Sequence, residues 1–177
     1  MSSVECNELR NDPVALDCFR AGMRQLLGGV ALVSTGRGLR RRGMIVTSAC
    51  SLSSEPPSLI VCVAKTAESH AVIGETGAFA VNILATDHLD IAERFSGMNG
   101  CKGLARFEVG KWTEGVTGSP VLEDALASFD CEVSNTFDAY SHSIYSGIIL
   151  DIKINSTRPP LGYCRGTYVG VEPIIHQ

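Results

Sequence analysis

The apolar residues of the chain change early from a helical spacing to a strand-like one. The first periodic stretch fits one face of an amphipathic helix, with Asp12 and Pro13 as its start signal and Gly28 and Gly29 as its end. That face consists of Leu16, Phe19, Met23, Leu26 and Leu27. Beyond it, β-branched and aromatic residues concentrate in short runs that turn-forming residues separate.

These short runs predict a mainly β protein with a few short helices. Strands are expected at residues 30–35, 44–50, 58–64, 78–84, 128–137, 143–155 and 163–171, and helices at 70–76 and 87–95. Because long helices do not separate successive strands, the order favours an antiparallel Greek-key β-barrel over a doubly wound sheet. No repeat or linker interrupts the sequence, so we expect one domain over residues 1–177.

Composition narrows the function classes. The chain has 177 residues, 45% of them hydrophobic and 19% charged, and its formal net charge of -4 disfavours nucleic-acid binding. No apolar run approaches the roughly 20 residues of a membrane span, and the N-terminus is too polar for a secretion signal, so we expect a cytoplasmic protein with no membrane partner. The seven cysteines and four histidines lack metal-site or disulfide spacing, so no metal centre is expected.

The stretch most informative about chemistry lies at residues 47–57, where small and hydroxyl-bearing side chains follow a predicted strand. Bare backbone N–H groups and freely rotating hydroxyls can hold a flat heteroaromatic ring or a phosphate. The same composition also fits a serine-rich loop that satisfies only its own backbone. No G-x-G-x-x-G motif is present, since Arg41 stands where its third glycine would be, so a Rossmann crossover is not expected to hold a nicotinamide cofactor.

Six sequence fragments, in order along the chain, resemble landmarks of one protein family. They are G-x₄-S-x-x-S-x-S-x-x-P-P at 43–57, F-x-V-N-x-L at 79–84, an L-A-x-x-F-like helix at 91–95, G-x-P-x-L at 118–122, a segment at 142–147 like the one that follows G-D-H, and P-L-x-x-x-R-G-x-Y at 160–168. This order resembles the short-chain flavin reductase family. The resemblance implies its fold, the FMN-binding split β-barrel.

The resemblance also implies a role for each matching residue. The ring and ribityl chain of the flavin would be lined by Thr47, Ser48, Ala49, Cys50 and Ser51, with Ser53 nearby. The phosphate would be held by Ala64, Lys65 and Ser69, while a charge and an apolar wall would come from Arg94 and Phe95. The nicotinamide would stack on the flavin beside Ser141 and His142, in a cleft bordered by Tyr163, Arg165 and Tyr168. His142 is the implied catalytic residue.

The implied reaction passes hydride from NADH or NADPH to FMN or FAD. Free reduced flavin would then reach a separate flavin-dependent monooxygenase, one that acts on an aromatic compound. The family forms homodimers with the flavin in the cleft between subunits. Two alternatives remain: a non-catalytic flavin- or haem-binding split-barrel module, and an oxygenase that uses its own flavin, for which the chain offers little room for a second pocket.

Several of these residues also fit simpler interpretations. Lys65 fits an ordinary solvated lysine at a strand end. Arg94 fits an ion pair with Glu93 or Asp90 on its own helix. His142 fits a hydrogen-bonded loop histidine that meets no ligand.

Two other features are open to more than one interpretation. Cys50 fits small packing beside the flavin, and the basic residues at 37–42 fit a solvated hairpin tip as well as a site that attracts the NAD(P)H phosphates. Before His142, the family's Gly-Asp is replaced by Tyr140 and Ser141. A tyrosine therefore stands where the family favours a backbone with φ > 0, and a carboxylate is lost beside the histidine.

Overall fold

The structure, a computed structural model, describes residues 13–155 and 158–172; Asp12 and the polar N-terminus lie outside the described residues. The helices are α1 (Leu16–Met23), α2 (Glu68–Thr76) and α3 (Leu89–Ser96). The strands are β1 (Gly28–Gly29), β2 (Ala31–Thr35), β3 (Arg42–Val46), β4 (Cys50–Ser54), β5 (Pro57–Ala64), β6 (Ala78–Ile83), β7 (Trp112–Glu114), β8 (Pro120–Leu122), β9 (Ala127–Ala139), β10 (His142–Ile154), β11 (Leu161–Cys164) and β12 (Thr167–Gly170).

A seven-stranded antiparallel sheet in the order β3-β2-β6-β9-β10-β5-β4 forms the body of the molecule. Its two edge strands, β3 and β4, are consecutive in the chain, and only Thr47, Ser48 and Ala49 join them. Four peptide steps span at most about 14 Å, so the sheet has to curl until its edges approach each other. The result is the mainly β, split-barrel-like fold that the sequence predicts. We call the line where the two edges approach the seam.

Strand alternation fills the inside of this barrel. On β5, Leu59, Val61 and Val63 are buried, and they pack in one cluster with Phe79 and Tyr145. The alternate residues Ile60, Cys62 and Ala64 are half-buried and face outward. The interior is therefore occupied by apolar side chains, and any ligand has to bind on an outer surface or at the seam.

A second core cluster holds α3 and the small sheet β1-β11-β12 against the barrel. Leu32 of β2, Phe95 of α3 and Leu161 of β11 belong to it. Strand β2 is buried on both faces because it separates the two clusters. No helix within the described ranges is long and apolar enough to cross a membrane.

A buried asparagine connects four parts of the sheet system. The Asn82 amide nitrogen donates to the Leu32 carbonyl and to Ser34 Oγ, at 3.1 and 3.0 Å. Its oxygen accepts from the Leu122 backbone N–H and from Ser128 Oγ, both at 2.9 Å. All the hydrogen-bonding capacity of this amide is therefore used, which compensates for its burial. Asn82 has a structural role in the 79–84 landmark.

Two predicted strands are wrong in their bounds. The one expected at 44–50 ends at Val46, and β4 begins only at Cys50, because the hydroxyl-rich residues between them cross the seam. The one expected at 163–171 is the β11–β12 hairpin, whose turn contains Arg165 at φ 53° and Gly166 at φ 84°. Two consecutive positive φ values are typical of a type I′ turn. The short strands β7 and β8 were not expected.

Helix α1 begins at Leu16, so Pro13 precedes the helix, and it ends at Met23, earlier than the apolar spacing predicts. It contains no buried residue. Phe19 is 52% exposed and Met23 50% exposed, so the apolar face lies open on the isolated chain.

Candidate active site

The hydroxyl-rich segment lies at the seam of the barrel. Thr47, Ser48 and Ala49 leave the edge strand β3 and reach the opposite edge strand β4. Each edge strand has a neighbour on one side only, so its outer backbone N–H and C=O groups are free of ladder partners. The segment therefore combines small side chains with backbone groups that can meet a polar ring edge.

The outward side chains of β5 form the floor beside this segment. Directly opposed residues of antiparallel strands share a face, and the register pairs Cys50 with Ile60 and His142 with Ala64. Cys62 lies between these two pairs on the same face. We define the outer face as Cys50, Ile60, Cys62, Ala64, His142 and Ile144. Its apolar members on β5 and β10 are half-buried, whereas Cys50 and His142 are exposed.

The serine and threonine hydroxyls of the segment divide into two groups. Ser48 Oγ accepts from the Cys62 backbone N–H at 3.3 Å and donates to the Cys62 carbonyl at 3.2 Å, which fastens the segment across β5. Ser53 Oγ accepts from the Glu55 N–H at 3.0 Å, as in a serine turn. Within the described part of the chain, the exposed hydroxyls of Thr47 and Ser51 have no hydrogen-bond partner. The hydroxyls of Ser48 and Ser53 are therefore used within the protein, whereas those of Thr47 and Ser51 remain available to a ligand.

A hollow with a volume of about 230 Å³ adjoins the same segment. Ala49, Cys50 and Ser51 line one part of it, and the rest of the lining includes Leu59 and Phe129. Leu59 belongs to the barrel core, so this apolar hollow lies on the barrel side of the segment, whereas the outer face lies on its other side.

Strand β5 ends in a polar corner beside α2. The Lys65 N–H donates to the Ser141 carbonyl at 2.9 Å, so the end of β5 is tied to the β9–β10 turn. Lys65 Nζ lies 3.4 Å from Asp138 Oδ2. Ser69, in the first turn of α2, is buried. The three residues expected to hold phosphate, Ala64, Lys65 and Ser69, therefore lie at or next to this corner.

The β9–β10 turn carries His142 to the outer face. Ser141 Oγ and His142 Nδ1 are 2.9 Å apart, so the hydroxyl orients the ring. Tyr140 adopts φ 53°, so the left-handed backbone that glycine would favour is kept by a tyrosine, whose side chain is fully exposed.

The aromatic residues of the β11–β12 hairpin lie on the other side of Thr47. Tyr163 and Tyr168 make an edge-to-face contact with ring centroids 5.3 Å apart. Two hollows of about 270 and 300 Å³ each have Thr47 and Tyr163 in their linings. Burial raises the pKa of Tyr168. The hairpin therefore borders the threonine end of the seam, and Arg165 at its turn is exposed and donates to Gln25 Oε1 at 3.3 Å.

Arg94 and Phe95 have a different environment. The Arg94 guanidinium donates to the Ala105 carbonyl at 2.6 Å and to Glu108 Oε2 at 2.6 Å, instead of pairing with an acid of its own helix. The Phe95 ring is buried against Phe107, with centroids 5.0 Å apart. The structure does not bring these two side chains to the outer face, and their role toward the flavin stays a prediction.

The basic residues at 37–42 are engaged with the protein itself. Arg40 pairs with Glu75, and Arg42 Nε lies 3.5 Å from Glu68 Oε2. Arg37 donates to the Thr117 carbonyl at 2.7 Å. The Arg41 guanidinium lies 5.0 Å from the Phe107 ring centre. These contacts favour the hairpin-tip interpretation over a cofactor phosphate site.

Sequence reasoning missed one polar residue of the corner and one close contact. Asp138 lies between the strands expected at 128–137 and 143–155, and its contact with Lys65 could not be expected because it joins positions far apart in sequence. Gly43 is the first residue of the family-like fragment at 43–57, which we call the flavin-loop landmark. A Cβ at this position would lie 2.7 Å from Cε1 of Phe95. The glycine at this position is therefore explained by close packing against α3 and not by contact with a ligand.

Comparison with known proteins places this geometry in one family. The family model described as "Flavin reductase like domain" matches residues 23–172. The FMN reductase (NADH) RutF of Agrobacterium fabrum is 35% identical over 150 residues, which are 85% of this chain and 85% of that protein. HsaB of Rhodococcus jostii, the reductase subunit of a flavin-dependent monooxygenase, is 33% identical over 88% of this chain and 77% of its own.

A solved structure shows the same fold. BorF, the flavin reductase component of a bacterial two-component tryptophan halogenase, superposes with a TM-score of 0.81 at 30% identity. The match covers 89% of this chain and 99% of BorF. The fold, the hydroxyl-rich seam and the sequence relatives agree, and the chain belongs to the flavin reductase like domain family.

Proposed function

We propose that this protein is a flavin reductase that passes hydride from NADH to a flavin bound along the outer face. The observation that carries the proposal is the position of β5. This strand pairs with Cys50 of the seam on one side and with His142 on the other, and it leads into Lys65. Ile60 and Ala64, four residues apart, place the ring-binding segment and the cationic corner about 13 Å apart along one strand.

The chemistry of these residues fits a flavin. The half-buried Ile60, Cys62 and Ile144 supply an apolar floor for a flat ring. The hydroxyls of Thr47 and Ser51 and the seam backbone supply neutral hydrogen-bonding groups for the polar edge of the ring. Lys65 supplies a positive charge for the phosphate.

When bound, the flavin supplies the hydride acceptor and the nicotinamide supplies the donor, so the chain has to bind and orient the two. The seam and the apolar floor would hold one side of the flavin ring and leave the other side to solvent. His142, oriented by Ser141, is exposed on the same outer face at its corner end and is the residue proposed to contact the nicotinamide. No strong general base is required for hydride transfer, which agrees with a site built mainly from hydroxyls and backbone groups.

The proposal for the cofactors is FMN and NADH, with FAD as a second flavin. The Agrobacterium fabrum relative is named an FMN reductase (NADH), which supports this pair for the present chain. NADPH is proposed as the less favoured donor, because the contacts of the arginines at 37–42 within the protein favour a hairpin tip over a cofactor phosphate site.

Reduced flavin is proposed to leave the site for a separate monooxygenase component. HsaB is named as such a reductase subunit, which supports a separate oxygenase partner here. The outer face is open to solvent at Cys50 and His142, which suits exchange of the flavin. That the partner acts on an aromatic compound stays a prediction, as does the cytoplasmic location.

A homodimer completes the proposal. The apolar face of α1 is half or more exposed on the isolated chain. Burying one large apolar side chain contributes about 1.5–3 kcal/mol, so a second copy that covers this face would be well stabilised, and C2 pairing is the common form.

A steady-state assay tests the function. NADH and NADPH are each combined with FMN, FAD and riboflavin, and nicotinamide oxidation is followed by absorbance. We expect oxidation only when a flavin is present, and faster with NADH. Flavin binding without oxidation would select the non-catalytic binding module instead. Oxidation of an organic substrate without any partner protein would select the self-sufficient oxygenase.

A further inference from the structure

The polar corner at the end of β5 contains an ion pair with a fixed acidic partner. Lys65 Nζ lies 3.4 Å from Asp138 Oδ2, and the second carboxylate oxygen, Oδ1, accepts a hydrogen bond from Ser143 Oγ at 2.7 Å. Ser143 is fully buried. The carboxylate therefore has a rigid anchor, whereas the lysine has a flexible stem.

A histidine strengthens this anchor. His70 Nε2 lies 2.9 Å from Ser143 Oγ. Since the hydroxyl hydrogen of Ser143 is donated to Asp138, the hydrogen between Ser143 and His70 comes from Nε2. The hydrogen bond from Ser143 and the charge of Lys65 hold the pKa of Asp138 below its usual value, so the group is a carboxylate at neutral pH.

The carboxylate lies on the side of the β9–β10 hairpin opposite to the outer face. Successive residues of a strand point to opposite faces, and Asp138 is paired in register with Ser143, the neighbour of His142. His142 belongs to the outer face, so Ser143 and Asp138 face the α2 side. Asp138 therefore draws the Lys65 ammonium away from the surface along which the flavin is proposed to bind.

We propose that Asp138 competes with the flavin phosphate for Lys65 and thereby sets the affinity for phosphorylated flavins. The inference rests on the proposed function. A phosphate at the corner shares Lys65 with Asp138 or displaces it, and in either case it meets the negative charge of that carboxylate. The competition and the repulsion both weaken the binding of FMN and leave riboflavin, which has no phosphate, unaffected. Weak binding suits a reductase whose reduced flavin has to leave.

The test is the variant Asp138→Asn, in which an amide oxygen can still accept from Ser143 while the charge is removed. Dissociation constants of FMN and riboflavin are measured by quenching of flavin fluorescence. We expect FMN to bind about two- to fivefold more tightly, the range for an exposed ion pair, with riboflavin unchanged. Asp138 and Lys65 are 71% and 38% exposed, so added salt should reduce the difference.

Two further variants serve as controls. Asp90→Asn makes the same change of charge on α3, which packs mainly against β3, and should alter neither constant. Lys65→Ala should weaken FMN and leave riboflavin unchanged. In the Lys65→Ala background, Asp138→Asn should lose most of its effect, since the two residues act through one contact.

The outcomes separate this inference from the proposed function. If both flavins are reduced but Asp138→Asn binds FMN no more tightly, the competition is wrong and the reductase stands. If the variant binds FMN more weakly, Asp138 positions Lys65 for the phosphate instead, and the inference is equally overturned. If wild-type protein binds neither flavin and oxidises no NADH, both proposals fall.

Discussion

His142 begins β10 and stands where the outer face meets the polar corner. Its neighbour Ser141 orients the ring through Nδ1, so the residue is held without being buried. The family's carboxylate at the Ser141 position is missing, and Asp138 of the facing strand lies on the opposite side of the hairpin, where it contacts Lys65 and Ser143.

Replacing His142 by alanine should affect hydride transfer more than flavin binding. The side chain is exposed at the corner end of the outer face and is proposed to contact the nicotinamide, so its loss should disturb the position of that ring. We expect the rate of flavin reduction to fall by about ten- to a hundredfold, with the flavin dissociation constant within about twofold of wild type. Rapid mixing with NADH measures the first quantity, and an unchanged rate would remove His142 from the mechanism.

The cysteines offer a second test at the residue scale. Cys50 is exposed on the outer face, whereas Cys131 is buried, and burial raises the pKa of the Cys131 thiol to about 12. Iodoacetamide at pH 8 should therefore alkylate Cys50 and spare Cys131 in the folded protein. Saturating FMN should slow the alkylation of Cys50, as measured by peptide mass spectrometry. Equal rates with and without FMN would place the flavin elsewhere.

At the scale of elements, the seam is the feature that the sequence described least well. The apolar run of β3 continues into small residues, so its pattern predicts one strand to Cys50. The interruption arises because the next strand pairs with β5 at the far end of the sheet, a long-range event that no local pattern contains. Strands β2, β5 and β6 were predictable because their apolar residues are core residues.

The candidate site was predictable only as separate fragments. The hydroxyls at 47–53 could be selected from their chemistry, whereas Lys65 and His142 were selected through the resemblance to the flavin reductase family. Their arrangement along β5 depends on register, and the Asp138 contact depends on the β9–β10 pairing. Arg94 is the opposite case. The resemblance assigned it to the flavin site, but its side chain donates to the Ala105 carbonyl of the protein itself.

A glycine of the flavin-loop landmark provides a prediction for α3. A Cβ at Gly43 would lie 2.7 Å from the Phe95 ring, so Gly43→Ala should push α3 away from β3. We expect the free energy of unfolding to fall by about 1–3 kcal/mol, as measured by denaturant titration. Gly74→Ala is the matched control, since Gly74 lies in α2 with open space around it.

That control should stabilise the protein by up to about 1 kcal/mol, because alanine favours a helix. If both substitutions changed the free energy of unfolding equally, close packing of Gly43 against Phe95 would not be the reason for a glycine at position 43.

At the scale of the whole molecule, the open apolar face of α1 predicts a dimer. Light scattering coupled to size exclusion should give twice the chain mass for wild type. Phe19→Glu should shift the protein toward monomer, because a charge on that face opposes burial. Leu39→Glu, at a side chain already 82% exposed in a different region, is the control and should leave the dimer intact. A wild-type monomer would contradict the proposed assembly.

The flavin ring is proposed to lie against the outer face, with the seam at its edge and one side left open. A crystal structure of the protein with FMN tests this most directly. We expect the ring over Ile60 and Cys62, with the phosphate near Lys65 and the free side of the ring open to solvent. A ring found elsewhere on the molecule, with the seam closed by the protein's own side chains, would contradict the account.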